Sequence, residues 1–141
     1  MTSQVRLPAA KAGIDPATAC ADIDLAAFRS NVAALRRHAD VPVMIVVKAD
    51  GYGHGMLECA REARAAGAEW LGVATPAEAL QLREAGDSGP MLAWLYGVDE
   101  DLAPLVAADV DVSAQSVEQL GRLLAAAAVV ERPARVHLKI D

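Results

Sequence analysis

The chain has 141 residues, a length typical of one domain. Apolar residues make up 54% of the sequence and charged residues 23%, which allows a sizeable core in a globular protein. The net charge of −6 argues against a general nucleic-acid-binding protein, which normally carries a basic patch. It also gives no reason to expect attraction to an anionic membrane.

Targeting and membrane-spanning patterns are not evident. The first 19 residues lack the unbroken apolar stretch of about 7–15 residues that a secretory signal needs. The longest apolar runs, at 41–47 and 123–130, are well below the roughly 20 residues that cross a bilayer. Cys20 and Cys59 lack a CxxC spacing, which predicts two reduced thiols in a cytoplasmic protein. The three histidines lie on different predicted elements, so we expect no metal site.

The first part of the chain reads as an arm followed by a helix. Residues 1–18 show no apolar period, which predicts a flexible N-terminal arm. Residues 19–23 are predicted to form a short strand. Asp24 then favours an N-cap for a helix over 25–39, whose apolar positions recur every three to four residues.

From residue 41 onward, predicted strands and helices alternate. We predict strands at 41–47, 70–74, 90–95, 109–114 and 134–140, and helices at 56–66, 76–85, 99–108 and 116–129. The first strand, VPVMIVV, is predicted to be buried on both faces. Thr75 and Glu78 have the spacing of a capping box, and Gly67 and Gly86 are typical helix stops.

This alternation predicts an α/β fold with a parallel sheet, either open and doubly wound or closed into an eight-stranded barrel. The pattern alone does not choose between the two. The sequence ends on the apolar strand at 134–140, with no helix to cover it, and an intact domain rarely ends so. We therefore expect a truncated barrel.

Lys48 stands at the end of the first predicted strand, after five apolar residues. Ligands and catalytic groups gather at the C-terminal ends of strands in parallel α/β folds. Apolar surroundings disfavour the ammonium and favour the neutral amine that a Schiff base requires. The sequence has ten arginines but only three lysines, and arginine cannot act as an amine nucleophile. A solvated strand-end lysine is the alternative.

The segment after Lys48, ADGYGHG at 49–55, strengthens the functional interpretation. Its three glycines allow sharp turns and a close approach to a ligand. A helix begins at Met56, so unpaired N–H groups are expected at the same mouth, where they favour phosphate. Tyr52 offers a hydroxyl to a phosphate oxygen.

The segment VVKADGYGHG resembles the pyridoxal-phosphate attachment segment of alanine racemases, VKA(N/D)AYGHG. The similarity is collinear from about residue 19 to the end, through IDLAAFRSNVAALR, GVATPAEALQLREAG and RVHLKID. It implies that Lys48 carries pyridoxal 5'-phosphate as an internal aldimine and that Tyr52 binds the cofactor's phosphate. His54 is expected to order the loop. Gly51 replaces the usual alanine, which should loosen the loop without altering the chemistry.

The resemblance also implies an architecture and a reaction. The family has a (β/α)8 TIM-type barrel followed by a mostly β domain, and works as a homodimer. Residues 19–141 would be the N-terminal part of that barrel, with about five strands, the rest of the barrel and the β domain missing. The implied reaction is the interconversion of L- and D-alanine for peptidoglycan. A tyrosine of the partner's β domain would act opposite Lys48, so the 141-residue chain alone is expected to be nearly inactive.

Lys139 has two interpretations. From the residues alone it is a solvated strand lysine or a partner in an ion pair. In the family this position is often a carbamylated lysine that orients a substrate-binding arginine a few residues later. Three alternatives to alanine racemisation also remain: a related racemase or decarboxylase on the same barrel, a non-catalytic pyridoxal-phosphate-binding barrel, and an unrelated barrel with a chance match. The GYGHG ending favours the racemase.

Overall fold

The computed structural model describes residues 21–140, so the predicted arm at 1–18 lies outside the described residues. The strand predicted at 19–23 is wrong where it can be checked, because residues 21–24 form no strand. They lead instead into the Asp24 cap, whose backbone is extended (φ −85°, ψ 92°).

Helices and strands alternate from residue 44 onward, after a first helix. The described elements are α1 (Leu25–Ala39), β1 (Met44–Val46), the short turn α2 (Lys48–Gly53), α3 (Met56–Ala65), β2 (Trp70–Val73), α4 (Pro76–Glu84), β3 (Met91–Ala93), α5 (Ala103–Ala107), β4 (Asp111–Ala114), α6 (Val117–Val130) and β5 (Val136–Leu138). The predicted order is confirmed. Each strand is three or four residues long, shorter than its apolar run predicted.

The five strands form one parallel sheet in the order β1-β2-β3-β4-β5. A doubly wound sheet reverses its strand order at a switch point, and this sheet has no such reversal. Consecutive parallel strands joined by right-handed crossovers place every helix on the same face. That arrangement is part of a barrel wall, which confirms the predicted partial barrel.

Side-chain caps fix where three of the helices begin. The Asp24 carboxylate accepts the Ala27 N–H at 2.9 Å and starts α1. Thr75 and Glu78 form the predicted capping box of α4. Ser116 accepts the Gln119 N–H at 3.2 Å and starts α6. Because these bonds satisfy N–H groups that lack partners within the helix, the local sequence is enough to set these boundaries.

Helix α5 begins later than predicted. The Asp101 carboxylate accepts the Ala103 N–H at 3.0 Å, and residues 98–99 form a turn before it. The consecutive acidic residues Asp99, Glu100 and Asp101 therefore precede α5 and do not form its first turn.

The core lies between the sheet and the helices. Its fully buried members come from both layers and include Leu71, Leu82, Met91, Leu105, Leu123, Val73 and Val112. Strand β1 is only half-buried, because within the described part of the chain it has a neighbour on one edge alone. The prediction that its residues are buried on both faces is therefore wrong for 44–46.

Arginines on the helices bind the loops that lead into the strands. Arg64 of α3 makes two bonds to Asp87, at 2.8 and 3.0 Å, and donates to the carbonyls of Glu69 and Pro90. Arg83 of α4 also donates to Asp87, at 3.1 Å. Bidentate and charge-assisted bonds of this kind are stronger than neutral ones. They fix the N-terminal rim of the barrel wall.

Glu69, in the loop before β2, binds an arginine of a helix as Asp87 does before β3. Arg36 of α1 donates to its carboxylate, and so does the Val43 N–H, at 2.9 Å. These two donors lower the pKa of Glu69 from an ordinary 4.5 to about 2. Glu69 thus joins α1 to the loops before β1 and β2.

The first prediction concerns Gly72, in the middle of β2. A Cβ at this position would lie 2.8 Å from the Trp94 ring and 2.9 Å from Met44 Sδ. We expect Gly72→Ala to lower the free energy of unfolding by about 1–3 kcal/mol through overpacking, measured by urea denaturation of the full chain. Gly97→Ala is the control, because no atom lies within 4 Å of that added Cβ. Equal losses in the two variants would contradict the packing explanation.

The second prediction concerns acid stability. Since the folded pKa of Glu69 is depressed, its contribution is complete above the unfolded pKa and disappears as the pH falls through about 2. The melting temperature of the parent should therefore exceed that of Glu69→Gln near neutral pH, and the difference should shrink between about pH 5 and about pH 2. A difference that stayed constant with pH would show that ionisation of Glu69 does not stabilise the fold.

Candidate functional site

Lys48 follows β1 directly, at the C-terminal edge of the sheet. The preceding residue, Val47, is 1% exposed and donates its N–H to the Gly72 carbonyl at 2.9 Å. The lysine side chain is half-buried. The base of Lys48 is thus fixed by the pairing of β1 with β2, at the strand end where the sequence predicted this lysine.

The segment after Lys48 forms a left-handed turn. Ala49, Asp50, Gly51 and Tyr52 have φ between 53° and 63° and ψ between 35° and 51°. Three of these residues have a Cβ, and the left-handed conformation costs such residues roughly 1–2 kcal/mol each. The sequence predicted sharp turning at the glycines, but it did not predict four consecutive left-handed residues.

Hydrogen bonds inside the loop hold this turn. Gly51 donates its N–H to the Val47 carbonyl at 2.9 Å. The Gly51 carbonyl in turn accepts the His54 N–H at 3.1 Å and lies 2.8 Å from His54 Nδ1. That second contact is a hydrogen bond when Nδ1 carries the proton. The bonding agrees with a loop-ordering role for His54.

Asp50 closes the loop onto α3. Its carboxylate accepts the Met56 N–H at 2.9 Å, and its carbonyl accepts the Gly55 N–H at 2.9 Å. The expectation that the Met56 N–H is unpaired is therefore wrong, because the loop supplies its own anion at the start of α3. A phosphate there would meet a carboxylate of like charge.

Glu78 was identified in the sequence only as half of a capping box. Its Oε2 accepts the N–H groups of Ala74 and Thr75, at 2.8 and 3.1 Å, at the end of β2. Its Oε1 accepts the Ala49 N–H at 2.7 Å, across to the residue that follows Lys48. This long-range bond had no signal in the sequence beyond the capping-box spacing.

Tyr52 lies beside the lysine. Nζ of Lys48 is 4.9 Å from the centroid of the Tyr52 ring, within the range of a cation–π contact. The Tyr52 side chain is 57% exposed. The structure therefore brings the two predicted site residues together at the mouth of the barrel wall.

Gly51 is buried beneath the turn. A Cβ there would lie 3.4 Å from both Cys59 Sγ and Met56 N, which is within ordinary contact range. The space thus accepts an alanine, although φ of +63° disfavours one. The looser loop expected from Gly51 stays a prediction.

Cys59 is reduced and buried, and its burial raises the pKa of the thiol. Cys20 lies outside the described residues.

Lys139 lies at the same edge of the sheet, four strands away. Its N–H donates to the Ala114 carbonyl at 2.9 Å and continues the pairing of β4 with β5. Its exposed Nζ is 3.4 Å from Gln115 Oε1. Asp141, which follows it, lies outside the described residues. Lys48 and Lys139 therefore follow the two outermost strands of the described sheet, β1 and β5.

The groups present fit a cofactor that carries an aldehyde. Lys48 supplies the primary amine that an aldehyde requires, half-buried at the mouth of the wall. Gly53 faces open space, since no atom lies within 4 Å of a Cβ placed on it.

Within residues 21–140, no helix is long and apolar enough to cross a membrane. The same residues contain no group of three or more side chains suited to a metal ion.

Comparison with known proteins assigns the family. The model of the family described as "Alanine racemase, N-terminal domain" matches residues 23–141, and the chain belongs to this family. The alanine racemase of Frankia casuarinae is 54% identical over 123 residues, covering 86% of this chain and 32% of the relative. That of Mycolicibacterium smegmatis is 55% identical over 120 residues, covering 84% and 31%. The chain thus spans about a third of the length of these relatives.

Solved structures agree with the sequence comparison. The alanine racemase from Streptomyces coelicolor A3(2) superposes with a TM-score of 0.80 at 47% identity, covering 83% of this chain and 32% of that one. The enzyme from the D-cycloserine producer Streptomyces lavendulae gives 0.81 at 46%, covering 83% and 31%. The fold is therefore that of the N-terminal part of an alanine racemase barrel.

The third prediction tests the Asp50 bond to α3. Asp50→Ala removes the acceptor for the Met56 N–H and should lower the free energy of unfolding by about 1 kcal/mol. Asp50→Asn keeps a carbonyl acceptor and tolerates the left-handed conformation, so it should stay within about 0.5 kcal/mol of the parent. Urea denaturation of the full chain measures both. If the asparagine variant lost as much as the alanine variant, the charge of Asp50 would matter more than its hydrogen bond.

Proposed function

We propose that the complete protein catalyses the pyridoxal-phosphate-dependent interconversion of L- and D-alanine in the cytoplasm, supplying D-alanine for peptidoglycan. The observation that carries this proposal is the position of Lys48. Its amine lies beside the ring of Tyr52 at the C-terminal edge of the sheet. The family match identifies this sheet as part of an alanine racemase barrel. That edge is where barrel enzymes place their active sites.

Each site residue has a proposed role. Pyridoxal phosphate supplies a conjugated ring that stabilises negative charge on the carbon next to an amine. Lys48 Nζ forms the covalent attachment to the cofactor and moves a proton at the alanine Cα on one face. The exposed hydroxyl of Tyr52 donates to a phosphate oxygen of the cofactor.

Other parts of the active site belong to the proposal as well. Lys139 is assigned as the carbamylated lysine that orients a substrate-binding arginine, and its exposed side chain lies at the same edge of the sheet as Lys48. A tyrosine from the partner subunit of a homodimer supplies the acid and base on the opposite face. Residues 19–141 are assigned to the N-terminal part of the barrel domain.

The fourth prediction tests the attachment site. Borohydride reduction of the cofactor-loaded full-length protein, followed by peptide mapping, should place the label on Lys48. Lys48→Ala should abolish both the label and the absorbance of the lysine-bound cofactor, because alanine has no amine to bond the cofactor. Lys11→Ala is the control with one lysine fewer and should keep both. A label on a peptide without Lys48 would refute the assignment, and a labelled protein without racemase activity would favour a non-catalytic cofactor-binding barrel.

A further inference from the structure

We propose that Glu78 is a positioning residue for Lys48. Its carboxylate holds the backbone of Ala49 in the left-handed conformation, and so sets the direction of the lysine side chain. This inference rests on the proposed function, in which the Lys48 amine holds the cofactor.

The bonds of Glu78 divide into two sets. The bond from the Thr75 N–H to Oε2 belongs to the capping box and serves the start of α4. The bond from the Ala49 N–H to Oε1 does not serve α4, because Ala49 lies 29 residues earlier in the chain, in the turn α2. It is also the shorter of the two, at 2.7 Å against 3.1 Å. Helix capping alone therefore does not explain the bonds that the Glu78 carboxylate accepts.

Lys48 is held from both sides. Before it, the Val47 N–H is bonded to the Gly72 carbonyl of β2. After it, the Ala49 N–H is bonded to Glu78 at the start of α4. Since β2 and α4 are adjacent in the chain, both attachments lead to the same strand–helix unit. The backbone of Lys48 is therefore held in one orientation relative to the C-terminal edge of the sheet.

The bond to Ala49 acts where the conformation is least favourable. Ala49 is the first residue of the left-handed turn, with φ 53° and ψ 51°, and it carries a Cβ. Without an acceptor for its N–H, alanine prefers right-handed or extended backbone. A change at Ala49 moves Lys48 directly, because the two residues share a peptide bond.

A charged carboxylate suits this position better than an amide. The three N–H groups around Glu78 are all donors, two facing one oxygen and one facing the other. Glutamine has a single side-chain oxygen, so its amide nitrogen must face at least one of these donors. The single oxygen is favoured on the side with two donors, Ala74 and Thr75, so Glu78→Gln loses the bond to Ala49.

The test compares two changes within the same capping box of the full-length protein. Glu78→Gln breaks the bond to Ala49 and weakens the cap, because the remaining bonds to the Ala74 and Thr75 N–H groups are no longer charge-assisted. Thr75→Ala removes the Thr75 Oγ1 acceptor for the Glu78 N–H, 3.3 Å away, and leaves the carboxylate bonds in place. Both variants should lower the melting temperature, because both weaken the start of α4.

Only Glu78→Gln should affect the lysine. In the cofactor-free protein, we expect the Ala49 amide to exchange with solvent about tenfold faster, the factor for one lost charge-assisted hydrogen bond. The dissociation constant for pyridoxal phosphate, followed through the absorbance of the lysine-bound form, should rise by about the same factor. Thr75→Ala should leave both quantities within about twofold of the parent. Where Glu78→Gln does not fold, Glu78→Asp serves, since it keeps the charge but is one methylene too short to reach both sides.

The outcomes separate this inference from the proposed function. If Glu78→Gln and Thr75→Ala change the exchange rate and the dissociation constant equally, Glu78 is only a cap and the inference is overturned. The inference also falls if exchange at Ala49 accelerates while cofactor binding is unchanged. In either case a borohydride label on Lys48 of the parent leaves the proposed function standing. A label found elsewhere on the parent overturns both.

Discussion

The site depends on a backbone conformation that the chain would not adopt by itself. Four consecutive left-handed residues follow β1, and three of them have a Cβ. Such a turn persists only where surrounding bonds over-determine it. Here the bonds come from Val47 before the turn, from His54 after it, and from Glu78 across the sheet edge. The result is a lysine that emerges from a fixed point, which suits an amine that must meet one carbon atom of a bound molecule.

The two rims of the barrel wall differ in their chemistry. At the N-terminal rim, Arg64 and Arg83 converge on Asp87, and Arg36 binds Glu69, so charged groups are satisfied by each other and by backbone carbonyls. At the C-terminal rim, the half-buried Lys48 lies beside the exposed ring of Tyr52, and the exposed Lys139 lies beside Gln115. In a parallel α/β barrel the first rim stabilises the fold and the second carries the chemistry. A change at one rim therefore need not disturb the other.

Glu78 connects the stability of a helix to the geometry of the site. The capping box is a local device that sets where α4 begins. By using its second carboxylate oxygen on Ala49, the same side chain connects the start of α4 to the residues that follow the neighbouring strand β1. Tertiary structure thus gives a position-specific role to a residue whose local pattern is common in helices. The same principle applies to Asp50, which caps α3 from within the loop.

The sequence by itself determined the order of strands and helices, the caps at Asp24, Thr75 and Ser116, and the candidate lysine. Those features are local, because they depend on apolar periodicity and on hydrogen bonds between residues close in the chain. The alternation of elements did not choose between a doubly wound sheet and a barrel; the family resemblance favoured the barrel, and the strand order in the tertiary structure confirmed it, since strand order depends on contacts between distant residues. Only the tertiary structure also revealed the bond from the Ala49 N–H to Glu78 and the bond from the Met56 N–H to the Asp50 carboxylate. Both bonds depend on the left-handed turn, which the sequence did not predict.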